Sequence, residues 1–434
     1  MPGPDLTSFD PMLKDAQLMV VDARQKENYL YTVLKEKAQV KTVGQTFEEP
    51  YLKAFSEGTG TGTRGSTDFT IAAARAVQSK KITGTITPYT ARIRIPHMLE
   101  AMAANNSLAY VRPLAQEMEG IALASQAEAE IFAAGDGGAT ERTKVLTATA
   151  SDEIITVVVD SANKYDTYKI RPNMLIDGLG SNHVALGSCT SLVVKDVVDE
   201  TTFTITCADA GTAATVATNL QNGSALIYHA GQYNTEPRGL KYAYGVDHST
   251  YFSADRSLAE YAFLRPYEVY VDEDTKKVTR GTSTTLTDWD LPHFQKVVDF
   301  LTRIKGCKEP DMSIMCDSRM KAQLIRLWQA YGETHAPEDV DAWPYKEIKF
   351  ANIPVIDKCK VFPSNTFCIF DHSQIWRLVT RELDWWEFNG SKWYPLMGSD
   401  LFASEAAMVG MEDFYSYAPW RGSWFHALKD ADDI

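Results

Sequence analysis

Residues 113–138 read PLAQEMEGIALASQAEAEIFAAGDGG and contain the clearest helical pattern of the chain. Apolar and small side chains recur there at helical spacing, at Leu114, Met118, Ile121, Ala122, Ser125, Ala129 and Phe132. Because proline lacks an amide donor, Pro113 either opens this helix or kinks it. The glycines from Gly135 onward end it. The pattern predicts a helix of about 33 Å over Pro113–Ala134, at ~1.5 Å per residue, which could form the backbone of a flat subunit.

Two weaker patterns precede this helix. Residues 11–37 space their apolar side chains helically among many charges, with Asp10 as the cap and Pro11 as the first helical residue. Such a charged segment has too few apolar residues for a domain core, so we expect an arm that lies on something else. A flexible Gly/Thr run then occupies Gly58–Gly65, and Ile82–Ile95 alternates β-branched with polar residues. These two features predict a projecting, two-stranded loop.

The composition changes between Thr140 and Ala230, where Thr, Val, Ala and Ser become abundant. Turn residues separate short apolar runs at Ile154–Val159, Met174–Ile176, Ser191–Val194, Thr202–Thr206 and Ala225–Tyr228. This spacing favours a small all-β sandwich or barrel. We predict a domain inserted between two halves of another, with its own two ends close together.

From about Glu236 the pattern is mixed α/β. Helical spacing marks Asp290–Lys305 and Met320–Tyr331. Strands are predicted at Ser313–Cys316, Ile353–Ile356, Thr366–Phe370 and Gln374–Val379. We find no repeat with a period of 20–50 residues, which argues against a solenoid or a propeller.

The charge balance limits the partners that the chain can grip. Its formal net charge is −14, and it contains no long Lys/Arg run. Proteins that bind nucleic acid through its phosphates usually carry a basic surplus. If DNA is a partner, we expect the chain to enclose it as a wall rather than to clamp it. No signal-peptide pattern and no apolar stretch of membrane-spanning length occur, so we expect a soluble protein made in the cytoplasm.

Two short motifs could each indicate a ligand-binding site, but their surroundings do not favour this interpretation. The glycines of Gly60–Gly65 match GxGxxG, but no buried strand precedes them, which favours a loop tip over a dinucleotide site. A second cluster could bind a metal through His335, Glu338, Asp339 and Asp341. No helix or strand fixes that cluster, which favours a solvated loop.

The C-terminal third combines acids with tryptophans, as the sites of glycosidases do. The acids are Asp384, Glu387, Asp400 and Glu405. Strands of a packed sheet have the same composition, and this explanation is favoured. The sequence therefore predicts no catalytic residue, no cofactor and no metal, and we do not expect an enzyme.

The order of the elements resembles the major capsid proteins of tailed double-stranded DNA bacteriophages. Their HK97-like fold is shared with encapsulins and with the floor of herpesvirus capsids. The tightest match is Ile95–Gly137, which is similar to the end of the extended loop followed by the spine helix of the peripheral domain. Asn234–Leu240 (NTEPRGL) is similar to the stretch that follows the spine helix. Met315–Glu333 resembles the helix of the axial domain, and Phe350–Phe370 resembles the next strand pair.

This resemblance implies an α+β, HK97-like capsid fold with an inserted small all-β domain. The implied segments are 1–39 (N-terminal arm), 40–95 (extended loop), 96–139 (peripheral domain with spine helix), 140–230 (inserted β domain), 231–365 (axial domain and link) and 366–434 (return to the peripheral domain and C-terminal end). Because an isolated hairpin is marginal in water, we expect the extended loop to be ordered only on a neighbouring subunit. Its cations should meet acidic partners there, namely Arg64, Arg75, Lys80, Lys81, Arg92 and Arg94.

The implied function is self-assembly into the hexamers and pentamers of an icosahedral shell around packaged DNA. The implied partners are copies of the chain, a portal protein, in some cases a decoration protein, and no membrane. A scaffolding extension before the arm is missing, so a separate scaffolding protein is expected. The implied location is the virion, after assembly in the host cytoplasm. Two alternatives stay open: an encapsulin-like container with a protein cargo, and a carbohydrate-active phage protein that uses the acidic, Trp-rich end.

Overall fold

The computed structural model describes most of the chain, and the description that follows is confined to those residues. They are 18–20, 30–31, 35–36, 42–43, 45–54, 78–96, 107–139, 141–159, 166–222, 225–245, 250–283, 285–330, 348–357, 362–387, 391–395 and 403–429. These residues form an α+β fold, with strands numbered β1–β23 and helices α1–α5 along the chain. The helices are α1 (Ser107–Ala134), α2 (Ala210–Asn222), α3 (Leu240–Tyr244), α4 (Leu291–Arg303) and α5 (Ser318–Ala330).

Helix α1 confirms the predicted long helix and extends it. It begins at Ser107, so Pro113 lies inside it, and its length is about 42 Å at ~1.5 Å per residue. The predicted apolar side is buried at Met118, Ala122, Ser125, Ala129 and Phe132. The helix packs on a strand through Tyr89, whose hydroxyl lies 2.9 Å from the Ser125 hydroxyl and whose ring meets Phe132 edge to face.

A five-stranded sheet underlies α1. Its strands are β1 (Lys35–Glu36), β5 (Thr87–Pro96), β20 (Ile375–Trp385), β21 (Trp393–Pro395) and β22 (Ala403–Ser416). The long antiparallel strands β20, β22 and β5 form its centre, and β22 pairs with β5 from Ala403 to Glu412. Strand β1 runs parallel to β20, with Lys35 opposite Trp376. The sequence predicted helix as far as Lys37, which is wrong at these two residues because backbone pairing with β20 decides their conformation.

The extended loop has a base that packs on its own chain. Strands β2 (Thr42–Val43), β3 (Thr46–Ala54) and β4 (Gln78–Thr85) form a separate three-stranded sheet. The chain passes from β4 into β5 at Ile86, so the predicted single strand Ile82–Ile95 belongs to two sheets. Phe47, Tyr51 and Ile82 are fully buried in one hydrophobic cluster with Tyr251 and Tyr415. The expectation that a neighbour alone orders the loop is therefore wrong for its base, because these side chains find a core within the chain. The Gly58–Gly65 tip lies outside the described residues.

The inserted region contains a closed barrel. Its strands are β6 (Thr143–Ser151), β7 (Ile154–Val159), β8 (Leu175–Leu179), β9 (Leu192–Val197), β10 (Thr202–Thr206) and β11 (Leu226–His229). They close in the order β10-β7-β6-β11-β8-β9. The barrel encloses its own hydrophobic core, in which Val157, Phe203 and Ile227 are fully buried.

Helix α2 corrects the all-β prediction for this region. It packs against β6 and β7 and adds Ala213, Val216 and Leu220 to the barrel core. Asp209 caps it, since its Oδ1 accepts a hydrogen bond from Thr212 N at 2.8 Å. Its Thr-rich composition resembles that of the surrounding strands, but tertiary burial of one face at i, i+3 and i+7 outweighs that β preference.

A seven-stranded sheet carries the remaining core. Its strands are β14 (Tyr267–Val271), β15 (Val278–Arg280), β16 (Met312–Cys316), β17 (Ile348–Phe350), β18 (Ile353–Ile356), β19 (Phe367–Asp371) and β23 (Ser423–His426), in the order β15-β14-β23-β19-β16-β18-β17. A two-stranded sheet of β12 (Thr250–Tyr251) and β13 (Ala254–Asp255) lies apart from it. Helix α4 is fixed by a capping box in which Asp290 and His293 satisfy each other's backbone amides.

The implied boundary at residue 366 separates two strands that pair in this sheet. Strand β19 lies beyond that boundary, yet every one of its residues is buried and it pairs antiparallel with β16. The chain then leaves for β20 and returns near its end as β23, which pairs with β14 and β19. Burial on both faces binds β19 to this sheet, and local sequence does not reveal such a long-range pairing.

Candidate assembly interface

Of the six predicted contact cations, Arg64 and Arg75 lie outside the described residues. Arg92 and Arg94 lie on the face of β5 that is opposite to α1, and both are exposed. Arg94 Nε lies 3.9 Å from Glu405 Oε1 on the adjacent strand β22. Arg92 forms no ion pair with the described part of the chain, so it is the most available of the group for another molecule.

Two further cations of this set have acidic partners within the chain. Lys80 Nζ lies 2.7 Å from Glu260 Oε2, and Lys81 Nζ lies 2.5 Å from Glu48 Oε2. All four side chains are between 39% and 60% exposed, so each pair contributes only about 0.2–1 kcal/mol. Pairs this weak can exchange for contacts with another subunit.

The chemical motifs of the sequence do not converge on a site. Gly60–Gly65 and His335–Asp341 lie outside the described residues. In the sheet, Asp384 stands opposite Val409, four residues along β22 from Glu405. That separates the two positions by about 13 Å at ~3.3 Å per residue, which exceeds the ~5–9.5 Å of paired glycosidase carboxylates. Asp400 is not among the described residues, and the carbohydrate-active alternative gains no support here.

The described residues contain neither a metal-binding cluster nor a membrane-spanning helix. No cluster of three or more His, Cys, Asp or Glu side chains is arranged to hold a metal ion in that part of the chain. No helix within it has the length and apolar character needed to cross a membrane.

The two ends of the inserted region meet at the C-terminal end of α1. Asn234 N donates to Gly138 O at 3.0 Å, and Glu236 N donates to Gly137 O at 3.2 Å. Gly137 and Gly138 have φ angles of 85° and 77°, a conformation that glycine adopts without strain. The prediction that the ends lie close together is confirmed, so the barrel can occupy this position without disturbing the sheets on either side.

A buried ionic network joins the barrel to α1. Arg142, at the entrance to the barrel, donates from one guanidinium nitrogen to both Glu128 of α1 and Glu236, with 2.9 Å to Glu128. Arg171 of the barrel donates to the other oxygen of Glu128, and also to Ala124 O at 2.9 Å. Arg142 and both carboxylates are more than nine-tenths buried. The network therefore fixes the barrel on the helix through directed, charged hydrogen bonds.

The pKa values of the two carboxylates of this network shift in opposite directions. Burial alone would raise the pKa of Glu128, but the guanidiniums of Arg142 and Arg171 outweigh it and hold the pKa at about 2. Burial raises the pKa of Glu236, which shares Arg142 with Glu128 and also faces Asp136. Glu128 therefore stabilises the fold above its ordinary pKa, and that contribution is lost only as the pH falls toward 2.

Arg238, from the NTEPRGL stretch, is a second hub. Its backbone N and its Nη1 donate to the two oxygens of Asp413 at 2.6 and 2.9 Å. Nη1 also donates to Thr85 O at 2.8 Å, where the chain leaves β4. The guanidinium lies over the rings of Tyr242 and Phe252, at 5.3 and 5.0 Å. The Arg238 side chain thus connects α3 and β22 to the base of the extended loop.

We expect Asp413→Asn to change how stability depends on pH. Burial raises the pKa of Asp413 to about 7, against the opposing effect of Arg238. The folded state therefore holds this proton more tightly than the unfolded chain. The stabilisation that Asp413 gives to the folded state is full below about pH 4 and is lost as the pH rises to 7. The free energy of unfolding of the wild type, relative to the variant, should fall between pH 4 and 7. Parallel stability profiles of the two proteins in urea titrations would contradict this assignment. Glu236 is present in the wild type and in the variant, so its own pH dependence cancels in the comparison.

Sequence reasoning singled out neither network, although one signal was present. Glu128 interrupts the apolar side of α1 between Ser125 and Phe132, and a charge in that position needs a buried partner. Its partners Arg142 and Arg171 lie in a region whose composition predicts strands and turns. Only the closing of the barrel brings them beside the helix.

Some solved structures are similar to this chain. No family model matches the chain, and no curated protein matches it. A chain of the cyanophage A-1(L) capsid asymmetric unit is 10% identical, with 95% of this chain and 93% of that chain covered and a TM-score of 0.48. A chain from the capsid of an empty GTA particle is 11% identical, with coverages of 94% and 90% and a TM-score of 0.45. A chain of the satellite phage P4 procapsid, which includes the size determination (Sid) protein, is 11% identical, with coverages of 99% and 98% and a TM-score of 0.41. The chain is similar along nearly its whole length to chains of capsids, and at these identities the likeness concerns the fold alone.

Proposed function

We propose that this chain is a major capsid protein. It assembles with copies of itself into the hexamers and pentamers of an icosahedral shell that encloses packaged phage DNA, and its role is structural rather than catalytic. A separate scaffolding protein and a portal protein are its further partners, with a decoration protein as an optional one. Assembly takes place in the host cytoplasm, and the final location is the virion.

One observation carries this proposal. The two stretches that resemble the capsid family most closely, Ile95–Gly137 and Asn234–Leu240, are separated in sequence by the barrel. They are nevertheless hydrogen-bonded to each other in the fold, from Gly239 N to Gly135 O at 3.1 Å and through the pairing of Asp136 with Arg238. Two stretches that resembled the family only by chance would have no reason to contact each other in the fold. The meeting supports a common body that hosts the barrel as an insertion.

Charge supports the same role. The net charge of −14 limits adhesion to DNA, so a shell of this chain would surround the polymer without gripping it. The six cations Arg64, Arg75, Lys80, Lys81, Arg92 and Arg94 are proposed to contact acids of neighbouring subunits. Each contact is weak, but a closed shell repeats it at every subunit, so the stabilisation of the shell is the sum of many contacts.

Electron microscopy tests the proposal directly. The purified chain, expressed alone and together with a scaffolding protein of the same phage, is expected to form hexamers, pentamers or shells. Sedimentation velocity would measure the assembled fraction as a function of concentration. A chain that stays monomeric at high concentration with the scaffold present would contradict the function, and shells that co-purify with an enzyme cargo would favour the container alternative.

A further inference from the structure

One buried arginine lacks the kind of partner that other buried cations of the fold have. Three cations are buried among the described residues, namely Arg142, Lys321 and Arg256. Arg142 binds two carboxylates, and Lys321 Nζ lies 2.9 Å from Asp357 Oδ1. Arg256 is 3% exposed and forms no ion pair with the described part of the chain. Because a buried charge is costly unless it is paired, Arg256 requires a separate explanation.

The hydrogen bonds of Arg256 use only part of its guanidinium. Arg256 follows β13, and its Nη2 donates to Ala243 O of α3 at 2.7 Å. Its Nε and Nη1 are buried and have no hydrogen-bond partner within the described ranges. The guanidinium carbon lies 4.3 Å from the centre of the Tyr251 ring, whose face attracts a cation. Two guanidinium nitrogens can therefore still donate to an acceptor.

The residues around Arg256 do not supply the missing negative charge. Burial lowers the pKa of its guanidinium, although arginine stays protonated in proteins. Among the groups that act most strongly against this effect, Glu268 is the only carboxylate, and it forms no ion pair with Arg256. The others are Tyr251, Tyr242 and Tyr51, and phenols are uncharged near neutral pH. The described residues therefore leave one buried positive charge uncompensated.

Burial and charge together specify the kind of partner. A side chain of another molecule, or a phosphate of a nucleic acid, would have to open the protein surface to reach so buried a guanidinium. Water accepts hydrogen bonds but leaves the charge uncompensated. A divalent anion would replace a surplus of one positive charge by a surplus of one negative charge. A small monovalent anion accepts the hydrogen bonds and balances the charge.

We propose that Arg256 binds a small monovalent inorganic anion, such as chloride, in the interior of the subunit beside α3. The anion accepts a hydrogen bond from Nη1 or Nε and balances the buried charge. It thereby stabilises the contact between the β12–β13 sheet and α3. This inference concerns the free subunit and does not depend on the proposed function, so a subunit that never assembles can still confirm or contradict it.

Anion exchange tests the site in unassembled, full-length subunits. Urea unfolding is measured while sodium gluconate, whose anion is too bulky for a buried site, is replaced by sodium chloride at constant ionic strength and pH. Once the site is mostly occupied, the folding equilibrium constant of the wild type should rise about tenfold for each tenfold rise in chloride. Arg256→Met should abolish this dependence. The matched control is Arg303→Met, at an exposed arginine of α4, which should retain the full dependence.

A second measurement does not require the variant to fold. In crystals of the wild type grown in bromide, anomalous scattering should locate a bromide ion within hydrogen-bond distance of Arg256 Nη1 or Nε. Bromide at exposed positions only would overturn the inference. A wild type whose stability does not respond to chloride would overturn it in favour of water. An equal chloride dependence of the wild type and Arg256→Met would overturn it in favour of a general salt effect.

Discussion

Arg142→Met is expected to destabilise the folded subunit by about 3–5 kcal/mol, the cost of breaking a buried ion pair. The guanidinium is the shared partner of Glu128 and Glu236, and all three groups are buried. Methionine fills similar space but leaves Glu236 without its cation and Glu128 with Arg171 alone. Urea unfolding of unassembled subunits, followed by circular dichroism near neutral pH, would measure the loss.

Two further variants isolate the cause. Arg171→Met should cost less, about 1–3 kcal/mol, because Arg171 is partly exposed and Glu128 keeps Arg142. Adding Glu236→Gln to Arg142→Met should restore part of the stability, since a neutral amide is cheaper to bury than an unpaired carboxylate. A loss below about 1 kcal/mol for Arg142→Met would show that the network contributes little and that water reaches these groups.

Gly239→Ala is expected to prevent correct closure of the fold or to destabilise it by about 3 kcal/mol or more. A Cβ at this position would lie 2.2 Å from Phe132 O and 2.4 Å from Ala133 O, in the last turn of α1. Both obstacles are backbone atoms in a buried helix, so neither can rotate away. The methyl group would push α3 off α1 and break the hydrogen bond from Gly239 N to Gly135 O. Soluble yield and thermal unfolding of the free subunit would measure the effect.

Gly120→Ala is the matched control. Gly120 lies at an exposed position of α1, and a Cβ atom built on it meets no atom within 4 Å, so the same substitution there should stabilise the subunit. The contrast between the two glycines tests the packing of α1 directly. If Gly239→Ala were as stable as the wild type, then α3 would not rest against the end of α1 as described.

Several elements could be predicted from sequence because a local pattern determines them. The periodic side of α1 is buried as predicted, since any helix with that spacing presents one apolar face. Strands β7, β10 and β18 begin and end at the predicted residues, because turn residues interrupt the chain on both sides. Their bounds depend on side chains within a few residues of each other.

The errors lie where distant segments meet. Lys35 and Glu36 become a strand through pairing with β20, more than three hundred residues away, and β19 joins the seven-stranded sheet against a boundary drawn from sequence order. In α2, Ala213, Val216 and Leu220 follow a helical spacing, but the β-type composition around them favours strands.

By itself, the sequence determined the long helix and about half of the strands, because periodicity and turn chemistry act locally. Only the tertiary structure decided how the barrel is held. Glu128 and Arg142 are 14 residues apart, and Glu236 lies a further 94 residues beyond Arg142. Whether they meet depends on a closed barrel that returns the chain to its starting point. A buried charge is stabilised by the partner that the fold places beside it, and that placement is a property of three-dimensional register rather than of any stretch of sequence.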